Sequence, residues 1–165
     1  MWTVIKFDKK NLEFLKKDFK QKLGQDVIIY CPKFLLQKYK NNKLIKKELR
    51  LLGDYLFCFH SKFKNSDTFN LLKFTRGLKY FLNGFLESQE DINKFIKKCR
   101  ECENEKGYLT QSFFKILENK DYKFTSGPFS DKIFKIINFE KNKLNILLGN
   151  INTTLKLNDY SFKPL

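Results

Sequence analysis

Hydrophobic positions in the first part of the chain change from one spacing to another within a few residues. Residues 2–7 alternate as in a β-strand. Apolar residues then recur three or four positions apart until Gly24, a residue type that favours the end of a helix. The apolar positions of this predicted helix are Leu12, Leu15, Phe19 and Leu23. The pattern therefore predicts a chain that begins with a strand followed by a helix.

Strands and helices continue to alternate up to about Glu103. We predict a short buried strand at 27–30, stopped by Pro32, and an extended, half-polar strand at 44–51. Further strands are predicted at 55–60 and 80–82, and helices from 66 to 74, capped by Ser66, and from the capping-box sequence at Ser88 onward. This order is that of an antiparallel sheet with helices on its flanks, an α+β fold.

A charged segment with a glycine and no apolar periodicity follows, and it predicts a linker between about Asn104 and Ser112. Short strands at barrel-like spacing come next, at 122–124, 135–137, 145–148 and 154–157. They predict a small five-stranded β-barrel, although only four of its strands are located, and a domain of about 45 residues has a marginal core by itself. The predicted domains are 1–105 and 116–165, joined by a linker at 106–115.

Composition indicates a chain that folds and carries strong positive charge. Of its 165 residues, 42% are hydrophobic and 16% aromatic, enough for a real core. The 33 basic and 18 acidic residues give a net charge of +15, and residues 1–117 hold 25 of the basic and 13 of the acidic ones. Such charge favours contact with a polyanion. A merely solvated lysine-rich surface is the alternative, so only clustered lysines count.

Several classes of protein are not indicated by the sequence. It has no apolar run of membrane-spanning length and no signal-peptide pattern, so we expect a cytoplasmic protein without membrane contact. Cys99 and Cys102 form a single C-x-x-C, and we expect reduced thiols on the apolar stripe of a helix rather than a metal site. His60 is the one histidine, and no catalytic motif is present, so we expect neither enzyme activity nor a cofactor.

Three segments stand in a distinctive order and spacing: LLGDYLFCF at 51–59, TRGLKYFLNG at 75–84 and SGPFSDKIFKI at 126–136. Together they resemble the NusG family of transcription elongation factors, over nearly the whole chain. The resemblance implies an N-terminal NGN-type antiparallel sheet flanked by helices, a linker and a small C-terminal KOW-type β-barrel. It also implies a monomer that binds RNA polymerase.

The sequence departs from the family pattern at several positions. Leu52 and Gly53 replace the usual Phe-Pro of the polymerase-binding turn, and Asp131 and Phe134 stand where the KOW signature has glycines. The run NILLGNINTTLKLNDYSFKPL at 145–165 resembles instead the divergent tail of RfaH, a specialised, operon-directed paralog. We therefore expect an RfaH-like antitermination factor rather than a general elongation factor.

The resemblance implies an apolar pocket that docks on the clamp of the largest RNA polymerase subunit and so disfavours the paused state. By match to the family's turn and strand positions, the polymerase-binding residues are Tyr55, Phe57, Phe81 and Phe85. A chain this aromatic also places most phenylalanines in its core, so each has a purely structural alternative. An accessible apolar cluster rimmed by lysine would favour the binding role.

A second implied surface faces the single-stranded non-template DNA of the transcription bubble. The residues carried over to it from the family are Lys10, Gln21, Lys22, Lys73 and Arg76. The helix lysines lie away from the apolar stripe, as such a surface requires. The strongest rival from another class is a KOW-containing RNA-binding or ribosome-associated protein, because the charge suits it equally well. A phage or plasmid antiterminator would differ in target rather than in chemistry.

The C-terminal domain has two possible conformations. Residues 131–148 contain neither Gly nor Pro, and Ile133, Ile137, Leu144 and Leu148 share one helical face. Other positions in the same run suit strand alternation. RfaH-like proteins mask the polymerase pocket with a helical form of this domain, which becomes a barrel on release and can then recruit the ribosome; NusG instead keeps a permanent barrel and contacts a termination factor or the ribosome. The sequence leaves both open.

Overall fold

The computed structural model describes residues 1–40, 43–157 and 159–165, with the backbone alone over 37–40. Its strands are β1 (Trp2–Phe7), β2 (Ile28–Tyr30), β3 (Lys33–Lys40), β4 (Lys43–Arg50), β5 (Tyr55–Phe59), β6 (Leu78–Phe81), β7 (Asp121–Phe124), β8 (Ile133–Glu140), β9 (Lys143–Leu148), β10 (Ile151–Lys156) and β11 (Phe162–Pro164). Its α-helices are α1 (Leu12–Leu23), α2 (Asp67–Leu72) and α3 (Gln89–Glu101). The α+β class is therefore confirmed.

These elements form two compact units. The first unit comprises Met1–Pro32 and Arg50–Cys99, and the second comprises Lys33–Leu49 and Arg100–Leu165. The domain limits given by the sequence stay a prediction. What the structure adds is that residues 33–49 group with the C-terminal part of the chain.

The first unit is built on a four-stranded antiparallel sheet in the order β2-β5-β1-β6. Successive side chains of a strand point to opposite faces, so the central strands β1 and β5 contribute to two apolar layers. One face packs on α1 and α2 through Ile5, Phe7, Leu15, Phe19, Leu56 and Leu72. The other face packs on α3 through Trp2, Phe57, Ile92 and Ile96. The predicted first strand and first helix are confirmed with their limits.

Two local features of the first unit differ from prediction. The strand expected to be buried at 27–30 is the edge strand β2, in which Ile28 is 43% exposed, because an edge strand has a neighbour on one side only. Ser66 does not cap α2 and has helical backbone angles. The side chain of Asn65 instead accepts a hydrogen bond from the backbone N–H of Asp67 at 2.9 Å, which satisfies a donor at the start of the helix.

The strand predicted at 44–51 is β4, and its partner is β3, which the sequence pattern did not predict. The two form a separate two-stranded sheet in the second unit. The ammonium of Lys33 lies 3.0 Å from a carboxylate oxygen of Glu48 and 4.7 Å from the ring centre of Tyr108. The Tyr108 hydroxyl also donates to Glu48, and this bond raises the pKa of Tyr108. The cluster ties both strands to the segment that follows α3.

That segment, which the sequence predicts as a linker, is folded on itself. The backbone N–H of Asn104 donates to the carbonyl of Tyr108 at 2.9 Å, and the Asn104 side-chain oxygen accepts from the N–H groups of Lys106 and Tyr108, both at 3.0 Å. The N–H of Leu109 donates to the carbonyl of Lys33 at 2.8 Å. The segment has no apolar periodicity because it is held by turn hydrogen bonds rather than by a buried face.

The second unit contains a five-stranded antiparallel sheet in the order β10-β9-β8-β7-β11. Its buried core consists of Tyr122, Phe124, Phe134, Ile136, Leu144, Ile146 and Phe162. The four located strands are confirmed as β7 to β10, and β11 is the fifth strand, for which the sequence pattern gave no position. Closure of this sheet into a barrel stays a prediction, as does the helical alternative: residues 133–148 form β8 and β9 in the state described here.

Both departures from the KOW glycines have a physical explanation. Asp131 has φ of +70°, in the region that glycine adopts most easily and that aspartate tolerates better than most residues. Its carboxylate lies 3.1 Å from the Lys123 ammonium. Phe134 is buried and stacks on Phe124 with ring centres 4.1 Å apart. One position thus keeps a glycine-like conformation, and the other contributes to the core.

The helices of the first unit are amphipathic and short. α3 has 13 residues, and within the described ranges no helix is long and apolar enough to cross a membrane. Cys99 is buried on α3 and Cys102 lies just beyond its end. All four cysteines are in the described ranges, and none forms a disulfide.

Candidate binding surfaces

An open groove runs beside the edge strand β6 in the first unit, with a volume of about 620 Å³. We call it the aromatic groove, and its apolar lining includes Phe63, Phe69, Phe81, Phe85 and Leu86. Its lysines are Lys64, Lys73 and Lys79. An accessible aromatic surface with a cationic rim is the arrangement that distinguishes a binding site from a buried core.

Ring packing gives this groove its shape. Phe69 of α2 meets Phe81 of β6 edge to face, with ring centres 4.9 Å apart, and also contacts Phe63 and Phe85 at 5.6 and 5.5 Å. The loop carrying Phe85 is tied to β1 by Gln89, whose side-chain N–H group donates to the carbonyls of Phe85 at 2.6 Å and of Trp2 at 2.7 Å. The groove is therefore preformed rather than dependent on loose side chains.

The four residues predicted to bind polymerase occupy three different environments. Phe81 and Phe85 line the aromatic groove. Phe57 is only 5% exposed and packs under α3, so it takes the structural role that the sequence left as its alternative. Tyr55 does not line the groove itself, but its hydroxyl lies 3.2 Å from that of Tyr80, which does. Phe69 is a groove residue that sequence reasoning missed. Phe63, which contacts it, is only 1% exposed and belongs to the core.

Tyr55 belongs to a small polar cluster with Lys6 and Tyr80. Strand register places Lys6 opposite both tyrosines, so the three side chains share one face of the sheet. The hydroxyls of Tyr55 and Tyr80 are 3.2 Å apart, and the Lys6 ammonium is 5.2 and 5.6 Å from the two ring centres. The pKa of Tyr55 is lowered, chiefly by its hydrogen bond with Tyr80 and next by the one with Lys6. The pKa values of Tyr80 and of Lys6 are raised, in each case chiefly by the hydrogen bond with Tyr55.

A second surface is formed by residues 71–77, which we call the basic turn, where α2 ends and β6 approaches. Gly77 has φ of +86° and lies so close to Asn11 that an added Cβ would be 2.8 Å from its carbonyl oxygen. The backbone N–H of Asp8 donates to the carbonyl of Gly77 at 2.8 Å. These contacts bring Arg76 to 3.6 Å from the ring centre of Phe14 on α1, and its Nε donates to Asn11 at 3.3 Å.

The structure brings together three of the five residues predicted to contact DNA. The ammonium of Lys22 donates to Thr75 Oγ1 at 3.1 Å and to the carbonyl of Leu71 at 3.4 Å, so it joins Lys73 and Arg76 at the basic turn. Lys10 is exposed in the short 3-10 turn Lys9–Asn11, directly before the Asn11 that contacts Arg76, and Gln21 is exposed next to Lys22. Sequence reasoning missed Phe14 and Phe74, which bring aromatic rings to this basic surface.

The fold is α+β, and its first unit presents an apolar and a basic surface. The chain is similar to a chain in the crystal structure of the MjSpt4:Spt5 complex in conformation B, with 15% identity and a TM-score of 0.33, over 100% of this chain and 98% of that one. It is also similar to Thermotoga maritima NusG, in a structure of its domain interaction, with 13% identity and a TM-score of 0.34, over 97% and 95%.

No protein-family model matches the sequence. No curated protein matches it at a significant level either.

Proposed function

We propose that this chain is a NusG-like transcription elongation factor that binds RNA polymerase through the aromatic groove. The observation that supports the proposal most is the position of Phe81 and Phe85. The family resemblance indicates them as polymerase-binding residues, and both line one accessible groove with lysines at its rim. Domains seldom leave a large apolar patch uncovered without a partner for it.

The groove suits a particular kind of partner surface. Its phenylalanine floor would bury apolar side chains, and Lys64 and Lys79 would pair with acidic residues around them. In the proposed mechanism that surface is the clamp of the largest polymerase subunit, and binding favours the closed, unpaused state over the paused one. No bond is made or broken in this mechanism, so the protein acts by differential binding to two polymerase conformations, without enzyme activity or a cofactor. The proposed place of action is the cytoplasm.

The finer proposal is an RfaH-like factor that suppresses termination on particular operons. Its support is the sequence: Leu52-Gly53 in the polymerase-binding turn, the absent KOW glycines and the C-terminal run of 145–165. In this proposal the basic turn holds the non-template DNA strand, and the C-terminal sheet contacts the ribosome or a termination factor.

A charge introduced at the groove tests polymerase binding. Leu86 is 59% exposed and lines the groove, so Leu86→Asp leaves the core intact but places a carboxylate on the apolar contact surface. We expect RNA polymerase binding to weaken about tenfold or more, as for a hot-spot residue. The measurement is retention of purified polymerase by the immobilised full chain in low salt.

Ile28→Asp is the matched control, because Ile28 is an exposed apolar residue on β2, the opposite edge of the same sheet. It should bind polymerase like the wild type. Failure of the folded wild-type chain to retain polymerase would remove the proposed function, and co-purification with ribosomes instead would favour the RNA-binding alternative. Equal losses in both variants would show that the groove is not the contact surface.

Contact with DNA phosphates gives a separate expectation for Arg76. Arg76→Ala should weaken binding to a single-stranded oligonucleotide and reduce the slope of log affinity against log salt by about 1. The thermal midpoint should change little, because Arg76 is exposed. Lys94→Ala is the control: Lys94 is an exposed lysine of α3, which packs on the other face of the sheet. A stability loss as large as the binding loss would make Arg76 a structural residue of the turn.

A further inference from the structure

Phe74 is the most exposed large apolar side chain in the part of the chain that the structure describes, at 88%. A single exposed apolar residue usually needs no explanation. Phe74 is not such an isolated residue, because it belongs to the basic turn, where two aromatic rings each lie close to a cationic side chain. The Lys73 ammonium is 5.7 Å from the Phe74 ring centre, and Arg76 lies over Phe14.

The backbone on both sides of Phe74 is anchored, so the ring is held outward. Leu72 and Thr75 are buried, and the N–H of Thr75 donates to the carbonyl of Leu72 at 2.8 Å. Thr75 in turn accepts from Lys22, and its carbonyl accepts from the N–H of Leu78 at 3.1 Å. Because this backbone is already ordered, binding through Phe74 would not have to pay for ordering the turn.

Local charge indicates what that partner is. The segment 71–80 contains Lys73, Arg76 and Lys79 and no acidic residue, and Lys22 of α1 reaches the same turn. A flat apolar ring surrounded by cations matches a ligand with aromatic faces and regularly spaced negative charges. Single-stranded nucleic acid has both, whereas a duplex covers its base faces by pairing and stacking.

We propose that Phe74 stacks on an unpaired base of a single strand whose phosphates are bound by Lys22, Lys73 and Arg76. The inference rests on the proposed function, to which it adds the residue that holds a base. Every base has a π-face, so this contact gives affinity with little sequence preference.

The test compares two probes that carry the same charge. Fluorescence anisotropy would measure binding of the full chain to a thymidine oligonucleotide and to an abasic oligonucleotide of equal length. Stacking on one base strengthens binding, so the wild type should prefer the thymidine strand about tenfold. Phe74→Leu, which keeps an apolar side chain but removes the ring, should bind both probes within about twofold of each other and keep the salt dependence of the wild type.

Phe74→Trp supplies the positive control, because it should keep the preference and show quenched indole fluorescence on binding the thymidine strand. Ile28→Trp, at the opposite sheet edge, should show no quenching. Equal affinity of the wild type for the two probes, or a preference that survives in Phe74→Leu, would overturn the inference. Polymerase retention by the wild type is measured on the same preparation. A chain that retains polymerase but shows no preference for the thymidine strand contradicts the stacking role alone and leaves the proposed function standing.

Discussion

Phe19→Ala should lower the free energy of unfolding of the first unit by about 3–5 kcal/mol, the usual cost of deleting a buried phenylalanine ring. Phe19 is fully buried between α1 and the sheet, where it belongs to one cluster with Ile5 and Leu56. The loss combines apolar surface removed from the core with a cavity that the packed neighbours fill only in part. Urea unfolding followed by fluorescence measures it, because Trp2 is the single tryptophan and is buried in the same unit.

Phe14→Ala is the matched control on the same helix. Phe14 is 46% exposed and covered on one side by Arg76, so its loss should cost at most about 1 kcal/mol. Similar losses for the two variants would contradict the placement of the apolar stripe of α1. The comparison also holds the helix propensity change constant, since both substitutions are Phe to Ala.

Gly77→Ala should destabilise the first unit by about 3 kcal/mol, because two costs coincide at this residue. Its φ of +86° is strained for any residue with a Cβ. The added Cβ would also lie 2.8 Å from the carbonyl oxygen and 2.9 Å from the Cβ of Asn11, so backbone must move. The movement would carry Arg76 away from Phe14 and should weaken binding to single-stranded DNA as well.

Gly84→Ala separates the two costs. Gly84 has a similar φ of +79°, but no atom lies within 4 Å of its added Cβ. This variant should lose only about 1 kcal/mol, the conformational part. Both free energies come from urea unfolding of the full chain. If the two variants were equally stable, the close contact between Gly77 and Asn11 would add nothing to the cost of Gly77→Ala.

The candidate site shows which positions of its side chains follow from the sequence and which depend on packing. The family resemblance implied Phe81 and Phe85 as polymerase-binding residues, and both line the aromatic groove. The same reasoning indicated Phe57, which lies in the core. Nothing local separates them, because whether a phenylalanine lines a groove or a core depends on which strand has a free edge, and β6 has one while β5 does not.

The arrangement of the basic surface likewise does not follow from the sequence alone. Lys22, Lys73 and Arg76 were indicated by the resemblance, but the sequence does not place Phe14 beneath Arg76 or leave Phe74 uncovered. The position of Arg76 over Phe14 follows from the close approach of Gly77 to Asn11, a contact between segments distant in the chain. A sequence motif supplies the residue types for such a surface, and packing supplies their arrangement.

The sequence by itself determined those elements whose burial is periodic: β1, α1 and the strands β7 to β9. Periodicity is a local property, since one buried face repeats every two residues in a strand and every three to four in a helix. Tertiary structure alone decided the pairing of β3 with β4, the ordering of 103–110 on Lys33, and the Lys6, Tyr55 and Tyr80 cluster. Each of these depends on register or contact between segments distant in the chain, and no repeat within either segment encodes it.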